Sequence, residues 1–456
     1  MSNIQRDGFG SRFGVLVAVA GSAVGLGNLW RFPYMVGTNG GAAFIIVYLA
    51  FVILLCLPIM FSEFVIGRRT QSNAFGAIKK IAPRSGWLTI GIISVVASIC
   101  IMSFYSVVGG WTLDYILKSF SSSFLTSDSS SLSSQFSGFT QSSFTPVLMH
   151  LLFLGISALI VVAGVKNGIE KYSKILMPAL FVLVVILAIR SLTLEGSMEG
   201  VRFLLYPDFS KITGETLLAA LGQAFFSLSL GMGCIITYGS YVNKKENLFK
   251  ISFSAAAADT GFAILAGLAV VPAVFAFGIP PGQGPSLVFI TLPQIFAQLP
   301  FGNVISVAFF FILMIAALTS AISLLEVVVA YFTEELKMTR KVAVAVTFLI
   351  IGVFGTFSSL SQGILKDVTI FGKTFFDLFD YTSSNILLPV GGLLVVLFVG
   401  WRMKRDDVFD ELTSGGTVAL KKSFFNAIML VVKFLAPIAI SIVLLNSLLG
   451  YLAKVG

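Results

Sequence analysis

The run Ala20-Gly21-Ser22-Ala23-Val24-Gly25-Leu26-Gly27-Asn28 lies in the middle of the first hydrophobic segment, and it is a helix that cannot stay wound. Each glycine in a helix interior weakens it by roughly 1 kcal/mol relative to alanine. Polar Ser22 and Asn28 stand where the flanking apolar residues place the depth of a bilayer. In lipid an unpaired backbone N–H or C=O costs several kcal/mol. A break therefore survives only where protein buries it, water reaches it, or an ion or ligand satisfies it. Close packing through small residues is the competing reading. It requires neither Asn28 nor the Arg31-Phe32-Pro33 that follows.

The rest of the 456-residue chain fits that environment. It is 57% hydrophobic and only 11% charged, with 44 phenylalanines and a mean hydropathy of +0.97. These values exclude an ordinary soluble domain and indicate an all-α polytopic membrane protein, read as one transmembrane domain over 1–456. At about 20 apolar residues per crossing, eleven spans are expected near 13–36, 42–66, 88–117, 146–164, 169–190, 216–240, 251–278, 303–332, 342–357, 375–400 and 423–450. The net charge of +9 comes from loops of one side: Arg68, Arg69, Lys79, Lys80 and Arg84 after the second span, for example, and Lys337, Arg340 and Lys341 after the eighth. The positive-inside rule then puts the N-terminus in the cytoplasm and, with an odd span count, the C-terminus outside. The Ser-rich loop 119–145 has no Lys or Arg and belongs to the outer face by the same rule. The basic balance thus indicates membrane topology and no nucleic-acid partner.

Much chemistry is excluded. Cys56, Cys100 and Cys234 sit in separate apolar segments without metal or disulfide spacing. His150 is the single histidine, so Ser-His catalysis and zinc sites have almost nothing to build on. No GxxxxGK[ST] phosphate loop is present. The expectation is a protein that is not an enzyme.

A second interrupted segment, Gly222-Gln223-Ala224-Phe225-Phe226-Ser227-Leu228-Ser229-Leu230-Gly231-Met232-Gly233, falls five spans after the first. Paired interruptions at corresponding positions point to inverted repeats, here 1–190 and 216–400 with an extra helix at 423–450, and to a transporter site between them. Glu63, one turn before Arg68-Arg69, is expected to neutralise backbone ends of the broken first helix. Tyr105 needs a hydroxyl partner at mid-depth. Gly168 and Pro178 bracket a helix start that either unwinds or is plain. Asp259 is a lone acid in the seventh span; Thr319 and Ser320 offer uncharged oxygens suited to sodium; Asp377 and Asp380 share a helix face.

The first-span string Gly21 to Pro33, the Gly222–Gly233 run and the Gly168-to-Pro178 spacing resemble the neurotransmitter:sodium symporter family, over nearly the whole chain and in its short eleven-helix bacterial branch. The resemblance implies the leucine-transporter fold, with helices one and six unwound, in a bacterial inner membrane. It implies two sodium ions. The first would be held by the carbonyl of Ala23 with Asn28, Ser227, the substrate carboxylate and Asp259, the seventh-span candidate. The second would be held by the carbonyls of Gly21, Val24 and Ala316 with Thr319 and Ser320. The substrate carboxylate would meet the N–H groups around Leu26 and Gly27 and the hydroxyl of Tyr105. The resemblance places Ala23, Ser227, Ile101, Phe226, Ser229, Met232, Ser320 and Leu324 around the substrate. Arg31 and Asp380 would form the outer gate, with Asp377 as runner-up, and Arg6 and Glu334 the inner latch.

The expected activity is sodium-coupled uptake of a hydrophobic or aromatic amino acid by alternating access, with no obligatory protein partner. Gly25 stands where monoamine carriers of the family have Asp, so the substrate should bring its own carboxylate. Chloride, which animal relatives bind, would here be flanked by Tyr48, Gln223 and Ser227. The carboxylate of Asp259, or in second place Glu63, would replace it, leaving transport chloride-independent with room for proton return. A channel or a non-transporting amino-acid sensor of the same fold are the rivals.

Overall fold

The computed structural model describes residues 9–121, 124–126, 128–278 and 287–455. Among them there is no strand, only an isolated bridge between Ile370 and Lys373. Nine continuous helices are long and apolar enough to cross a membrane. A tenth crossing, Phe13–Ala23 followed by Gly27–Thr38, is bent by 42° at its break. The sixth span brings the count to the expected eleven: it is split into Gly214–Ser227 and Cys234–Gly239, each too short to cross alone.

Burial sorts the spans. The eighth, Gly302–Glu334, has 72% of its most apolar window buried, and the seventh, Leu248–Ala276, has 61%. Only 28% of that window in Val165–Leu192 and 33% in Lys422–Asn446 is buried, so the fifth and last spans face the hydrocarbon. At about 1.5 Å per residue the 33-residue eighth span is longer than the hydrocarbon is thick and must tilt or project. Its main partner is the third span, Gly86–Ser119, while the fifth packs against the seventh. The broken first span lies between the seventh, fifth and eighth.

Glycine permits the tight crossings. A Cβ on Gly67 of the second span would lie 2.0 Å from the carbonyl oxygen of Ile236, and one on Gly239 would lie 3.2 Å from the ring of Phe64. The second span, Ala42–Thr70, thus lies against the inner half of the sixth at backbone contact.

One expectation changes and one open alternative is decided. The Ser-rich outer loop contains a helix, Ser129–Gln141, capped by Asp128, whose carboxylate accepts the N–H groups of Ser130 and Ser131. Phe136 and Phe139 of that helix reach Tyr115, and this aromatic packing holds a polar sequence in a fold. The segment from Gly168 to Pro178 is wound. A turn of wide pitch, Val165–Glu170, leads into the helix Lys171–Leu192 with Pro178 inside it. The discontinuity lies earlier, at Gly164, whose φ of 89° is readily adopted only by glycine.

Candidate functional site

The first helix ends because Val24 leaves helical geometry, with ψ at 101°. That frees the N–H groups that follow. Gly25 N–H donates to Asn28 Oδ1 at 3.0 Å, and Leu26 N–H donates to the hydroxyl of Tyr105 at 3.1 Å. The sixth span breaks differently, through three residues with positive φ: Ser229 at 55°, Gly231 at 77° and Gly233 at 77°. At Gly231 space as well as conformation excludes a side chain, since a Cβ would lie 2.1 Å from the carbonyl oxygen of Leu388. The N–H of Gly231 is taken by Glu63 Oε1 at 2.7 Å. Glu63 therefore serves the break in the sixth helix, not the break in the first. A carboxylate buried to zero exposure marks where backbone donors need an acceptor.

The two breaks and the third and eighth spans enclose a tight cavity of about 20 Å³. Of the residues expected around substrate, Ala23, Gly27, Ile101, Tyr105, Phe226, Ser227, Ser229, Met232, Ser320 and Leu324 line it. Leu26 does not line it and reaches the site through its N–H. Ser22 and Gly25 line it as well. Sequence reasoning missed Ser22 as a wall residue, although its polarity inside an apolar run was the available signal. Between Ile101, Phe226, Met232 and Leu324 the walls are apolar; the polar surface is hydroxyls and backbone.

Beside the cavity stands a buried polar knot. Asn28 Nδ2 donates to Asp259 Oδ1 at 2.7 Å and contacts Ser227 Oγ at 3.2 Å. The hydroxyl of Ser227 lies 2.8 and 2.9 Å from the two carboxylate oxygens of Asp259, and Tyr48 donates to Asp259 Oδ2 at 3.2 Å. The register of the seventh span thus turns Asp259 toward Asn28 and Ser227. Gln223 points elsewhere: its Nε2 donates to the carbonyl of Gly27 at 3.2 Å. Tyr48 and Ser227, but not Gln223, face the carboxylate.

The second expected ion set also converges. Thr319 Oγ1 lies 3.4 Å from the carbonyl oxygen of Val24 and 3.0 Å from that of Ala316, and a Cβ on Gly21 would lie 3.5 Å from the Cβ of Thr319. Ser320 Oγ, at 3.2 Å from the carbonyl of Ser22, faces the substrate cavity as well. Neither set is a transition-metal centre. Among the described residues no cluster of three His, Cys, Asp or Glu exists, and carbonyl, hydroxyl and amide oxygens with at most one carboxylate suit a hard monovalent cation that must also leave.

Above the cavity, on the side assigned outside, Arg31 Nη2 lies 3.8 Å from Asp380 Oδ1, and its guanidinium sits 4.9 Å from the ring centre of Phe226. Asp380 rather than Asp377 meets Arg31; Asp377 Oδ2 accepts from the hydroxyl of Thr374 at 2.8 Å. Below, Glu334 accepts from the N–H and the side-chain amide of Asn73 at 2.8 and 3.0 Å. Its expected partner Arg6 lies outside the described residues. Two ties on the side assigned to the cytoplasm are new. Glu326 accepts from Tyr241 at 2.7 Å and from Arg340 at 3.2 and 2.5 Å. Glu170 accepts from the Gly10 N–H at 2.6 Å, the Ser11 hydroxyl at 2.8 Å and Lys174 at 2.6 Å, and so fixes the foot of the first span to the fifth.

Comparison with known proteins agrees with this geometry. The model of the sodium:neurotransmitter symporter family matches residues 6–134 and 128–455. The chain is 43% identical over 453 residues to an uncharacterized sodium-dependent transporter, YhdH, of Bacillus subtilis, covering 99% of this chain and all of that one. It is 26% identical to the sodium- and chloride-dependent GABA transporter 2 of Homo sapiens, over 90% of this chain and 75% of the relative. The crystal structure of MhsT in complex with L-phenylalanine superposes with a TM-score of 0.92 at 45% identity, covering 97% of this chain and 99% of that chain. Two broken helices around a closed cavity, with a full-length match in sequence and in fold, leave one conclusion: the chain belongs to the sodium:neurotransmitter symporter family, and it has the leucine-transporter fold.

Proposed function

We propose that this sodium-dependent transporter carries a hydrophobic or aromatic amino acid into the cell together with two sodium ions, by alternating access and without covalent chemistry. One observation carries the reading: the Leu26 N–H freed at the first helix break, the Tyr105 hydroxyl and the Asn28–Ser227–Asp259 knot adjoin one cavity whose remaining walls are apolar side chains and serine hydroxyls. A half-helix N-terminus attracts an anion, and a cation beside it is stabilised by the same carboxylate. Each ligand then raises the other's affinity by an equal factor, which is coupling. Ala23, Asn28, Ser227 and Asp259 would hold the first ion; Gly21, Val24, Ala316, Thr319 and Ser320 the second. Each charge entering down the membrane potential gains about 2.3 kcal/mol per 100 mV.

Asp259 gives the site its own anion. Two sodium ions and a zwitterion bring excess positive charge to a place where an unpaired charge is very costly. A carboxylate hydrogen-bonded by Tyr48, Ser227 and Asn28 offsets one charge, as chloride would. After sodium leaves, a proton can take its place, so uptake is chloride-independent with proton return. The phenylalanine bound to MhsT supports the substrate class, and the apolar walls exclude charged side chains, for which nothing in the cavity pairs. The five-plus-five inverted repeat, a plasma-membrane location with the N-terminus inside, and the Arg6–Glu334 latch belong to the same proposal. Uptake by proteoliposomes across the twenty amino acids, with and without a sodium gradient, tests it. Leucine or an aromatic amino acid should accumulate only with sodium, and Asn28→Ala should weaken sodium-dependent binding by tenfold or more in a folded protein. Equal uptake without sodium, or an unchanged sodium affinity in Asn28→Ala, would refute the assignment.

A further inference from the structure

Ser22, the residue the sequence left unassigned, lines the cavity with Ser229, Ser323 backs them as a hydrogen-bond partner of Ser22, and the three hydroxyls of this floor can be followed proton by proton. Ser229 donates to the carbonyl of Ser22 at 2.8 Å. Ser323 donates to the carbonyl of Ser320 at 2.7 Å, within its own helix. Ser22 has one proton for two acceptors, Ser323 Oγ at 2.9 Å and Ser229 Oγ at 3.1 Å. All three protons are therefore committed inside the floor. Lone pairs remain on Ser22 Oγ and Ser229 Oγ, and both residues line the cavity. A hydroxyl carries two acceptor positions and one donor, so a floor whose donors are spent can accept but cannot give. The neighbouring thiol of Cys234, 3.9 Å from Ser323 Oγ, is a weak donor and does not change that balance.

The floor lies among the walls expected to face a substrate side chain. The carboxylate is expected at Leu26 N–H and Tyr105. The floor adjoins Leu324, next in sequence to Ser323, and Met232 on the sixth span, among the apolar walls. The three serines are buried to 4% exposure or less, so water competes little for their lone pairs. A site built to receive a hydrogen bond discriminates against the analogue that lacks the donor, whereas apolar walls alone rank ligands by shape.

From this we propose that the Ser22–Ser229–Ser323 floor selects amino acids whose apolar side chain ends in, or carries, a hydrogen-bond donor, such as an indole N–H or a phenol O–H, over side chains of equal shape without one. The proposal rests on the amino-acid transport reading above.

The test compares tryptophan with 3-benzothienyl-L-alanine, in which sulfur replaces the indole N–H at nearly the same shape, as competitors of sodium-dependent leucine binding to the purified full-length protein. The expected result is that tryptophan binds roughly three- to tenfold tighter, the range of one net neutral hydrogen bond. In Ser22→Ala, and independently in Ser229→Ala should the first variant fold poorly, the ratio of the two affinities should fall toward one. Equal affinities in the native protein, with leucine still bound in a sodium-dependent way, would overturn this inference and leave the transport reading standing. If the variants lose leucine and both aromatic ligands by the same factor, the hydroxyls serve the substrate ammonium, and the inference is again overturned. No sodium-dependent binding of any amino acid would mean that the transport reading itself has failed.

Discussion

Gly25 and Asp259 show what single residues do in this site. At Gly25 a Cβ would lie 2.1 Å from Ser320 Oγ and 3.0 Å from the Tyr105 hydroxyl. A side chain there occupies the ground where a substrate carboxylate would meet Tyr105. Gly25→Asp should thus abolish binding of amino acids, losing at least tenfold in affinity, because a fixed carboxylate both displaces Ser320 and repels the substrate's own. Isothermal titration with leucine in saturating sodium measures this; retained affinity would show that the carboxylate binds elsewhere. Asp259→Ser removes the anion that Asn28, Ser227 and Tyr48 surround while keeping a hydroxyl. Uptake by this variant should come to require chloride, whereas native uptake should persist when chloride is replaced by gluconate. Collapse of native uptake in gluconate would remove Asp259 from that role and bring no support to Glu63, which is already engaged by Gly231.

At the scale of elements, the breaks were legible in the sequence and their partners were not. Glycine content and polar residues at bilayer depth identified both interruptions because they act through local backbone cost. The assignment of Glu63 to the sixth helix rather than the first, and the tie of Tyr241 and Arg340 to Glu326, depend on which helices cross. Spacing along one chain carries no such information. The Ser129–Gln141 helix escaped notice because its stability comes from Tyr115 on another span, not from its own polar sequence. The residue set around the cavity was read more fully than the fold's physics would allow, since it came from a family resemblance. Ser22 was missed because the resemblance was not extended to it. For the sixth span, Gly231→Ala should lower stability by about 2 kcal/mol or more, since the new methyl meets the Leu388 carbonyl and the φ of 77° disfavours any side chain. Thermal unfolding in detergent reads the loss, and a melting temperature equal to that of the native protein would mean the break can re-form without strain.

For the whole molecule, the closure expected on the outer side is weak by construction. Arg31 and Asp380 are 3.8 Å apart, with Asp380 about one-third exposed, and pairs of this kind contribute about 0–1 kcal/mol. Asp380→Asn should therefore shift the balance between outward-open and closed forms by no more than about fivefold. Labelling from outside of a cysteine placed at Ile101, in a protein lacking Cys56, Cys100 and Cys234, measures the shift. A change of a hundredfold would mean that the pair, and not packing around Phe226, holds the cavity shut.

Polar atoms join some spans firmly and others loosely. Asp259 on the seventh holds Asn28 of the first and Ser227 of the sixth, and Glu63 on the second holds Gly231 of the sixth. At the depth of the cavity the first span meets the eighth through uncharged hydroxyls alone, Ser22 to Ser323 at 2.9 Å, Ser320 to the Ser22 carbonyl at 3.2 Å and Thr319 to the Val24 carbonyl at 3.4 Å. At that depth the molecule is thus divided into a raft of four helices stapled by carboxylates and the wall it lies against, and the cavity with its expected second cation position straddles the seam. A cargo seated there would be mortar: it would add bonds across the joint while leaving the interior of either block unchanged, so that occupancy would set the grip between the two blocks.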